Sequence, residues 1–163
     1  MTATRILIAI GALLVLGAVN FSIVGKERIK RGGEVIYLDL APVDPRSLIQ
    51  GDYMTLRFRL ADEIRASLRA PGAERPREGE RRFADIALDP RRVASLAKPG
   101  TAATHKLRYR IRREAVWLGT NAYFFEEGRE ERYARARYGE FRLDRESGEA
   151  VLVGLRDDSL RPL

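Results

Sequence analysis

The chain begins with one long apolar run, and short runs of alternating apolar and polar residues follow it. Residues 6–24 (ILIAIGALLVLGAVNFSIV) contain no charged side chain, and Asn20 and Ser22 are their only polar ones. A helix rises about 1.5 Å per residue, so a segment of this length covers roughly the 30 Å hydrocarbon core of a bilayer. The pattern therefore predicts a transmembrane helix over residues 6–24.

A cleavable signal peptide is the alternative for this segment, because it is N-terminal and follows a single cation, Arg5. A signal peptide has a shorter apolar core and a cleavage site with small residues around one free position. Neither feature is clear here, since the bulky Ile23 and Val24 stand at the end of the run. We expect a retained anchor.

Period-two alternation marks strands in the remaining chain, because successive side chains of a strand point to opposite faces. In YMTLRFRL, residues 53–60, every second side chain is apolar, which predicts one half-buried strand. The arms YGEFRLD and EAVLVGL flank RESG and predict a hairpin, with Val151, Val153 and Leu155 on one face of its second arm. Further strands are predicted in EVIYLDLA, FADIAL, THKLRYRIR, AVWLG and NAYFF.

Two short helices are predicted between the strands. Asp62 is expected to cap a helix that runs to about Leu68, since a carboxylate accepts a free N–H of the first turn. The segment EEGREERYARAR places acids early and arginines late, with Glu131 and Arg135 four residues apart, which favours a helical turn or two. The connections are mostly too short for the crossovers of parallel strands.

The predicted fold class is therefore mainly β (α+β). An anchor with a basic juxtamembrane stretch occupies residues 1–32, and one β-rich, mostly antiparallel domain with two short helices occupies residues 33–163. A chain of 163 residues is long enough for one modest core and too short for two comfortable domains.

The formal net charge of +7 is concentrated near the anchor. Residues 1–32 hold five cations and one anion, so they carry +4, and the remaining residues carry only +3. This excess suits anionic lipid headgroups and weakens the argument for nucleic acid, which we do not expect as a partner. The cations that follow the helix would by themselves place the domain in the cytoplasm, and the absence of cysteine fits either compartment.

The segment PVDPRSLIQGDY, residues 42–53, raises the question of a carboxylate site. Asp39, Asp44 and Asp52 could serve acid–base chemistry or hold a metal only if their side chains converge, and their spacing does not show convergence. Turn chemistry explains them better, because Asp-Pro favours a turn and Gly51 tolerates positive φ. We interpret the segment as a corner between two strands.

Ser47 suggests a second reactive possibility, a serine hydrolase of the serine/lysine type found in bacterial membranes. Such a nucleophile needs a base, and the domain offers only Lys98, Lys106 and the sole histidine, His105, which we expect to be packed in a strand. No cysteine–histidine cluster and no glycine loop for phosphate is present. We therefore expect no enzyme activity, no metal and no cofactor, with a tethered hydrolase as the alternative.

A cationic face is the feature most open to a binding function. If the strands at residues 53–60 and 104–112 are neighbours, their outward side chains form one positive stripe that could bind lipid headgroups, a polyanion or an acidic partner. An ordinary solvated face balanced by acids such as Glu140 and Asp144 is the competing interpretation. The predicted stripe consists of Arg57, Arg59, Lys106, Arg108, Arg110 and Arg112.

Two blocks of the sequence resemble the GDYXXLXY family of bacterial membrane-anchored proteins. Gly51-Asp52-Tyr53, then Leu56 and Phe58, reproduce the signature, with Phe58 where the family has tyrosine, and LAPVDPRSLIQ resembles its lead-in. The resemblance covers most of residues 35–158. The motif residues are Asp44, Pro45, Arg46, Gly51, Asp52, Tyr53, Leu56 and Phe58 in the first block, and Phe124, Phe125, Glu127, Gly128, Tyr133, Tyr138, Gly139 and Glu140 in the second.

The resemblance implies a single-pass protein of the bacterial inner membrane whose domain lies in the periplasm, against the local charge count. Members are often encoded beside multi-span membrane proteins, which implies a partner of that kind, and the family has no established activity. We expect a non-enzymatic accessory protein that docks on a membrane partner, with Asp52 and Tyr53 at the contact surface. The residues do not specify a small-molecule ligand.

Overall fold

A computed structural model describes residues 2–41, 49–50, 53–74, 76–98, 100 and 103–163. Its first element, helix α1 (Thr2–Gly32), is longer than the predicted span because the basic stretch continues the helix. The apolar part of α1 has a mean hydropathy of 2.5, and none of it is buried against the described part of the chain. Helix α1 is thus long and apolar enough to cross a membrane.

Ten strands form three sheets in the described part of the chain, and every strand pairing in them is antiparallel. The first sheet has the order β1 (Glu34–Asp39), β9 (Tyr138–Leu143), β10 (Ala150–Arg156). The second has the order β2 (Ile49–Gln50), β3 (Tyr53–Thr55), β8 (Ala122–Phe124). The third has the order β5 (Ala94–Leu96), β4 (Arg81–Leu88), β6 (His105–Arg112), β7 (Ala115–Trp117).

The first and third sheets meet at two places and enclose one core. Tyr37 of β1 forms a bridge with Val93, next to β5, and the N–H of Arg108 in β6 donates to the carbonyl of Gly148, 2.7 Å away, in the β9–β10 turn. Buried apolar side chains of both sheets belong to one hydrophobic cluster. Those that are almost completely buried include Ile36, Leu38, Ile86, Leu107, Phe141, Leu143 and Leu155. The predicted antiparallel, β-rich fold is confirmed.

The predicted strand over residues 53–60 is only partly correct. Strand β3 ends at Thr55, and helix α2 (Arg59–Leu68) begins where the alternation was expected to continue. The predicted burial of Leu60 nevertheless holds, because Leu60 and Ile64 lie one helical turn apart and both face the core. A short alternating run fits both a strand and the start of a helix, and tertiary packing decides between them.

Asp62 does not cap α2. The helix begins before it, and its N-cap residue, Phe58, makes no side-chain hydrogen bond to the helix. The Asp62 carboxylate instead accepts hydrogen bonds from Arg57, at 3.0 Å, and from Arg65, at 2.6 Å. It thus lies inside the first turns, where a negative charge still favours the helix dipole.

The hairpin of β9 and β10 is confirmed, but the face predicted for its second arm is wrong. The register shifts between Leu152 and Gly154, which inserts an extra residue into β10. Leu152 pairs with Phe141 before the shift and Leu155 pairs with Gly139 after it, so Val151 and Val153 do not share the buried face of Leu155. A bulge reverses side-chain alternation, and the sequence pattern gives no sign of it.

Both short helices are present, although the second is brief. Helix α3 spans only Glu130–Tyr133, so Arg135 lies beyond its end.

The connection DPRRVASLAKPG, in which no strand was predicted, contains β5. Strand β5 has only three residues and lies in a segment rich in charge and proline, so its apolar pattern gives no clear strand signal.

The end of α1 contacts the domain directly. Lys26 forms an ion pair with Glu149, at the start of β10. Gly33 follows the helix, and its N–H donates to the Ile29 carbonyl at 2.8 Å. A Cβ atom at Gly33 would lie 2.5 Å from that carbonyl oxygen and 3.0 Å from Arg142 Cβ. The junction therefore needs glycine for close packing, and the domain lies against the last turns of α1.

Candidate functional site

The first motif block is described only in part. Asp44, Pro45, Arg46, Gly51 and Asp52, and also Ser47, lie outside the described residues, so the interpretations placed on them remain predictions. Three motif residues are described: Tyr53 in β3 is partly buried, and Leu56 and Phe58 are buried.

On the surface, the two blocks meet at an aromatic pair. Tyr53 of β3 and Phe124 of β8 are opposite each other in the register, and their ring centroids lie 5.7 Å apart. The Phe124 side chain is 75% exposed. A large exposed aromatic residue next to a second ring is a common feature of contact surfaces.

In the core, the two blocks meet a second time. The ring of Phe58 packs edge-on against Phe141, with 5.3 Å between centroids. A Cβ atom at Gly139 would lie 3.0 Å from the Phe58 ring, 3.0 Å from the Phe141 ring and 3.2 Å from Leu152. Gly139 is therefore a packing requirement of the core, and Phe58 fills the space that it leaves.

Other residues of the second block support the structure around β8. Phe125 packs on Tyr133 with 4.8 Å between ring centroids, and Tyr133 also contacts Tyr123 at 5.3 Å. Burial, together with a hydrogen bond to Tyr133, raises the pKa of the Tyr123 hydroxyl. Glu127 is exposed, and Gly128 takes a φ of +82° in the turn before α3. A structural role accounts for most of the second block.

Glu140 is buried and forms ion pairs. Its carboxylate binds Arg156 of β10, and Arg142 lies 3.7 Å away on the same strand. Among the described residues, Glu140 is the only buried charged residue. Tyr138, two positions earlier, lies under the guanidinium of Arg91, at 5.6 Å. Removing an arginine partner from a buried carboxylate is destabilising, because its charge is then less well compensated.

The predicted positive stripe divides into two groups. Strand β3 pairs with β2 and β8, whereas β6 pairs with β4 and β7, so the two predicted strands are not neighbours. Arg57 and Arg59 are neutralised locally, by Asp62 at 3.0 Å and by Asp39 at 3.1 Å. This part of the prediction is wrong because it required a pairing that the fold does not make. The side chains that remain on the outer face of β6 are Lys106, Arg108, Arg110 and Arg112.

An open cleft of about 600 Å³ extends from this outer face to Phe124. Phe124 lines one end, and Lys26 of α1 lines it as well. Between them, the guanidinium of Arg112 lies over the ring of Trp117, 5.0 Å from its centroid. Sequence reasoning did not select Trp117, and only the pairing of β6 with β7 brings it to Arg112.

His105 is packed, as expected. Its ring is hydrogen-bonded to Glu34, at 3.0 Å, and to Thr104, at 2.9 Å. Glu34 also accepts a hydrogen bond from Arg145, and this contact is the main reason why the pKa of the Glu34 carboxyl lies below its usual value. No cluster of three or more histidine and acidic side chains that could hold a metal occurs in the described ranges.

A protein-family model matches most of the chain. The model described as GDYXXLXY protein matches residues 15–155, which includes the end of α1, both motif blocks and nearly all of the sheets. The chain belongs to the GDYXXLXY family. No curated protein and no solved structure matches the chain. Membership in the GDYXXLXY family confirms the resemblance found in the two motif blocks, and it brings no established activity.

Proposed function

We propose that this GDYXXLXY protein is a single-pass, non-enzymatic accessory protein whose domain docks on a multi-span protein in the same membrane. The observation that carries the proposal is the cleft that joins the exposed Phe124 to the end of α1. A surface beside the last turns of a membrane-spanning helix is held close to the bilayer. A protein in that bilayer can reach it without leaving the membrane.

The chemistry of the cleft suits a protein partner. Phe124, Trp117 and Arg112 belong to the residue types that dominate binding energy at protein interfaces. The Arg112 guanidinium stacks on the Trp117 ring, so both side chains are partly ordered before binding and less entropy is lost. The proposed occupant is a loop of the multi-span protein that carries apolar and acidic residues.

Crosslinking in native membranes tests this proposal. A photo-reactive residue at position 124 should capture one dominant multi-span protein, whereas the same residue in place of the exposed Arg69, just after α2, should not. With the crosslinker placed at Thr120, which lines the same cleft, Trp117→Ala should lower the yield by about thirtyfold, the effect of losing one central interface residue. Equal yields from positions 124 and 69 would contradict the proposal.

The proposal also places the domain in the periplasm. A reporter fused after Leu163 that is active only in the periplasm should be active, and one that is active only in the cytoplasm should be silent. The expected orientation follows the family resemblance and runs against the four cations that follow the apolar segment. The opposite pattern of reporter activity would place the domain, and the surface of the partner, on the cytoplasmic side.

A further inference from the structure

A second cleft, of about 940 Å³, lies between the last turns of α1 and the outer face of β4 and β6. Residues of α1 between Phe21 and Gly32 line it, and so do Gly33 and the turn that joins β9 to β10. Six cationic and three anionic side chains line it. The cleft therefore carries an excess of positive charge at the point where the chain would leave the membrane.

Two of the three acids of this cleft, Glu149 and Asp144, are already engaged. Glu149 forms ion pairs with Lys26 and Arg108 together. The Asp144 carboxylate accepts hydrogen bonds from the N–H of Glu146 and from the hydroxyl of Ser147, both at 3.0 Å. Even with the third acid, Glu146, counted, cationic side chains outnumber anionic ones in the cleft.

Two facing arginines contribute to this excess, as does Arg28 of α1. Arg81 of β4 and Arg110 of β6 are opposite each other in the register, and neither has an ion-pair partner among the described residues. The next residue of β4 does have partners, since Arg82 forms ion pairs with Glu80 and Glu74. Like charges directly opposite each other destabilise a sheet. Burial, and the charges of Arg81, Arg108 and Arg112, lower the pKa of the Arg110 guanidinium.

The position of the cleft narrows the choice of anion. The apolar run of α1 ends at residue 24, and Lys26, at the rim of the cleft, follows two residues later. If α1 spans the bilayer, the cleft opens at the level of the lipid phosphates. Arginine binds phosphate with two parallel hydrogen bonds, and two facing guanidinium groups suit a group with several oxygens.

We propose that this cleft binds the phosphate of an anionic phospholipid headgroup, between Arg81 and Arg110 and with Lys26 at the rim. The inference rests on the membrane anchor of the proposed function and needs no protein partner. The bound phosphate would supply the negative charge that the two strands lack. The lipid would also fix the orientation of the domain relative to α1. In that orientation, the cleft lined by Phe124 and Trp117 would face the bilayer.

Reconstitution of the full chain in nanodiscs tests this. Discs of phosphatidylcholine alone and discs that also contain phosphatidylglycerol are compared, with thermal unfolding followed through the single tryptophan, Trp117. Phosphatidylglycerol should raise the melting temperature of the wild type. Arg110→Gln and Arg81→Gln should each abolish most of this rise, and should weaken the preference for phosphatidylglycerol about fivefold in a lipid-competition assay.

Two comparisons make the result specific. Arg69→Gln removes the same charge at the residue after α2, outside the cleft, and should keep the full response. In discs of phosphatidylcholine alone, Arg110→Gln should be at least as stable as the wild type, because it removes a like-charge repulsion. An equal response of all variants to phosphatidylglycerol would overturn the proposal. A rise produced by inorganic phosphate in phosphatidylcholine discs would overturn the assignment to a lipid.

Discussion

Replacing Phe58 by alanine is expected to lower the free energy of unfolding by about 3–5 kcal/mol. The ring is 3% exposed, it packs edge-on against Phe141, and it lies over Gly139, where there is no side chain to fill the space left behind. The loss therefore combines burial of an aromatic ring with the cost of a cavity. Denaturant unfolding of the full chain in detergent, followed through Trp117 fluorescence, measures the change.

Phe124→Ala is the matched control, because the same atoms are removed from a ring that is 75% exposed. Its effect on the free energy of unfolding should remain within about 0.5 kcal/mol. The pair separates stability from docking, since Phe58→Ala should weaken the fold and Phe124→Ala only the interface. Equal losses from the two variants would show that the core does not have the packing described here.

Replacing Glu140 by alanine is expected to lower the free energy of unfolding by about 2–4 kcal/mol. The change leaves Arg156 without its carboxylate and Arg142 without its nearest anion, and both arginines are themselves partly buried. Their partial exposure to water keeps the expected value below that for a completely buried pair. Urea unfolding of the full chain in detergent micelles measures it.

A double-mutant cycle with Arg156→Met isolates the ion pair. The double variant should be more stable than the sum of the two single losses implies, because neither charge is then left without its partner. Glu140→Gln, which keeps a hydrogen-bond acceptor near Arg156, should be milder than Glu140→Ala. Strict additivity in the cycle would mean that Glu140 and Arg156 do not stabilise each other.

Local patterns predicted most of the elements correctly. The apolar run over residues 6–24 required no tertiary information, since helix length and hydropathy are properties of adjacent residues. The alternation of THKLRYRIR likewise predicted both β6 and its buried face, because a strand with one face in the core has to alternate. Two of the errors occurred where the chain changes conformation within one pattern, at Arg59 and at the bulge before Gly154.

The residues of the candidate sites were predicted much less well from the sequence. The predicted positive stripe joined Arg57 and Arg59 to the arginines of β6, and the structure separates them by giving β6 other neighbours. Arg81 was not selected, although it faces Arg110 directly. Trp117 was also missed, because its contact with Arg112 depends on the pairing of β7. Each of these contacts joins residues whose relation is set by strand order and register.

The sequence by itself therefore determined that a long apolar helix precedes a mainly antiparallel β domain, that Leu107 and Phe141 lie inside, and that the chain resembles the GDYXXLXY family. These properties follow from hydrophobic period, length and motif, which are local. Only the tertiary structure decided that Tyr53 lies beside Phe124 and that Arg81 faces Arg110 next to the end of α1. Those contacts depend on which strands pair and in which register, and this choice is made by packing the whole core at once.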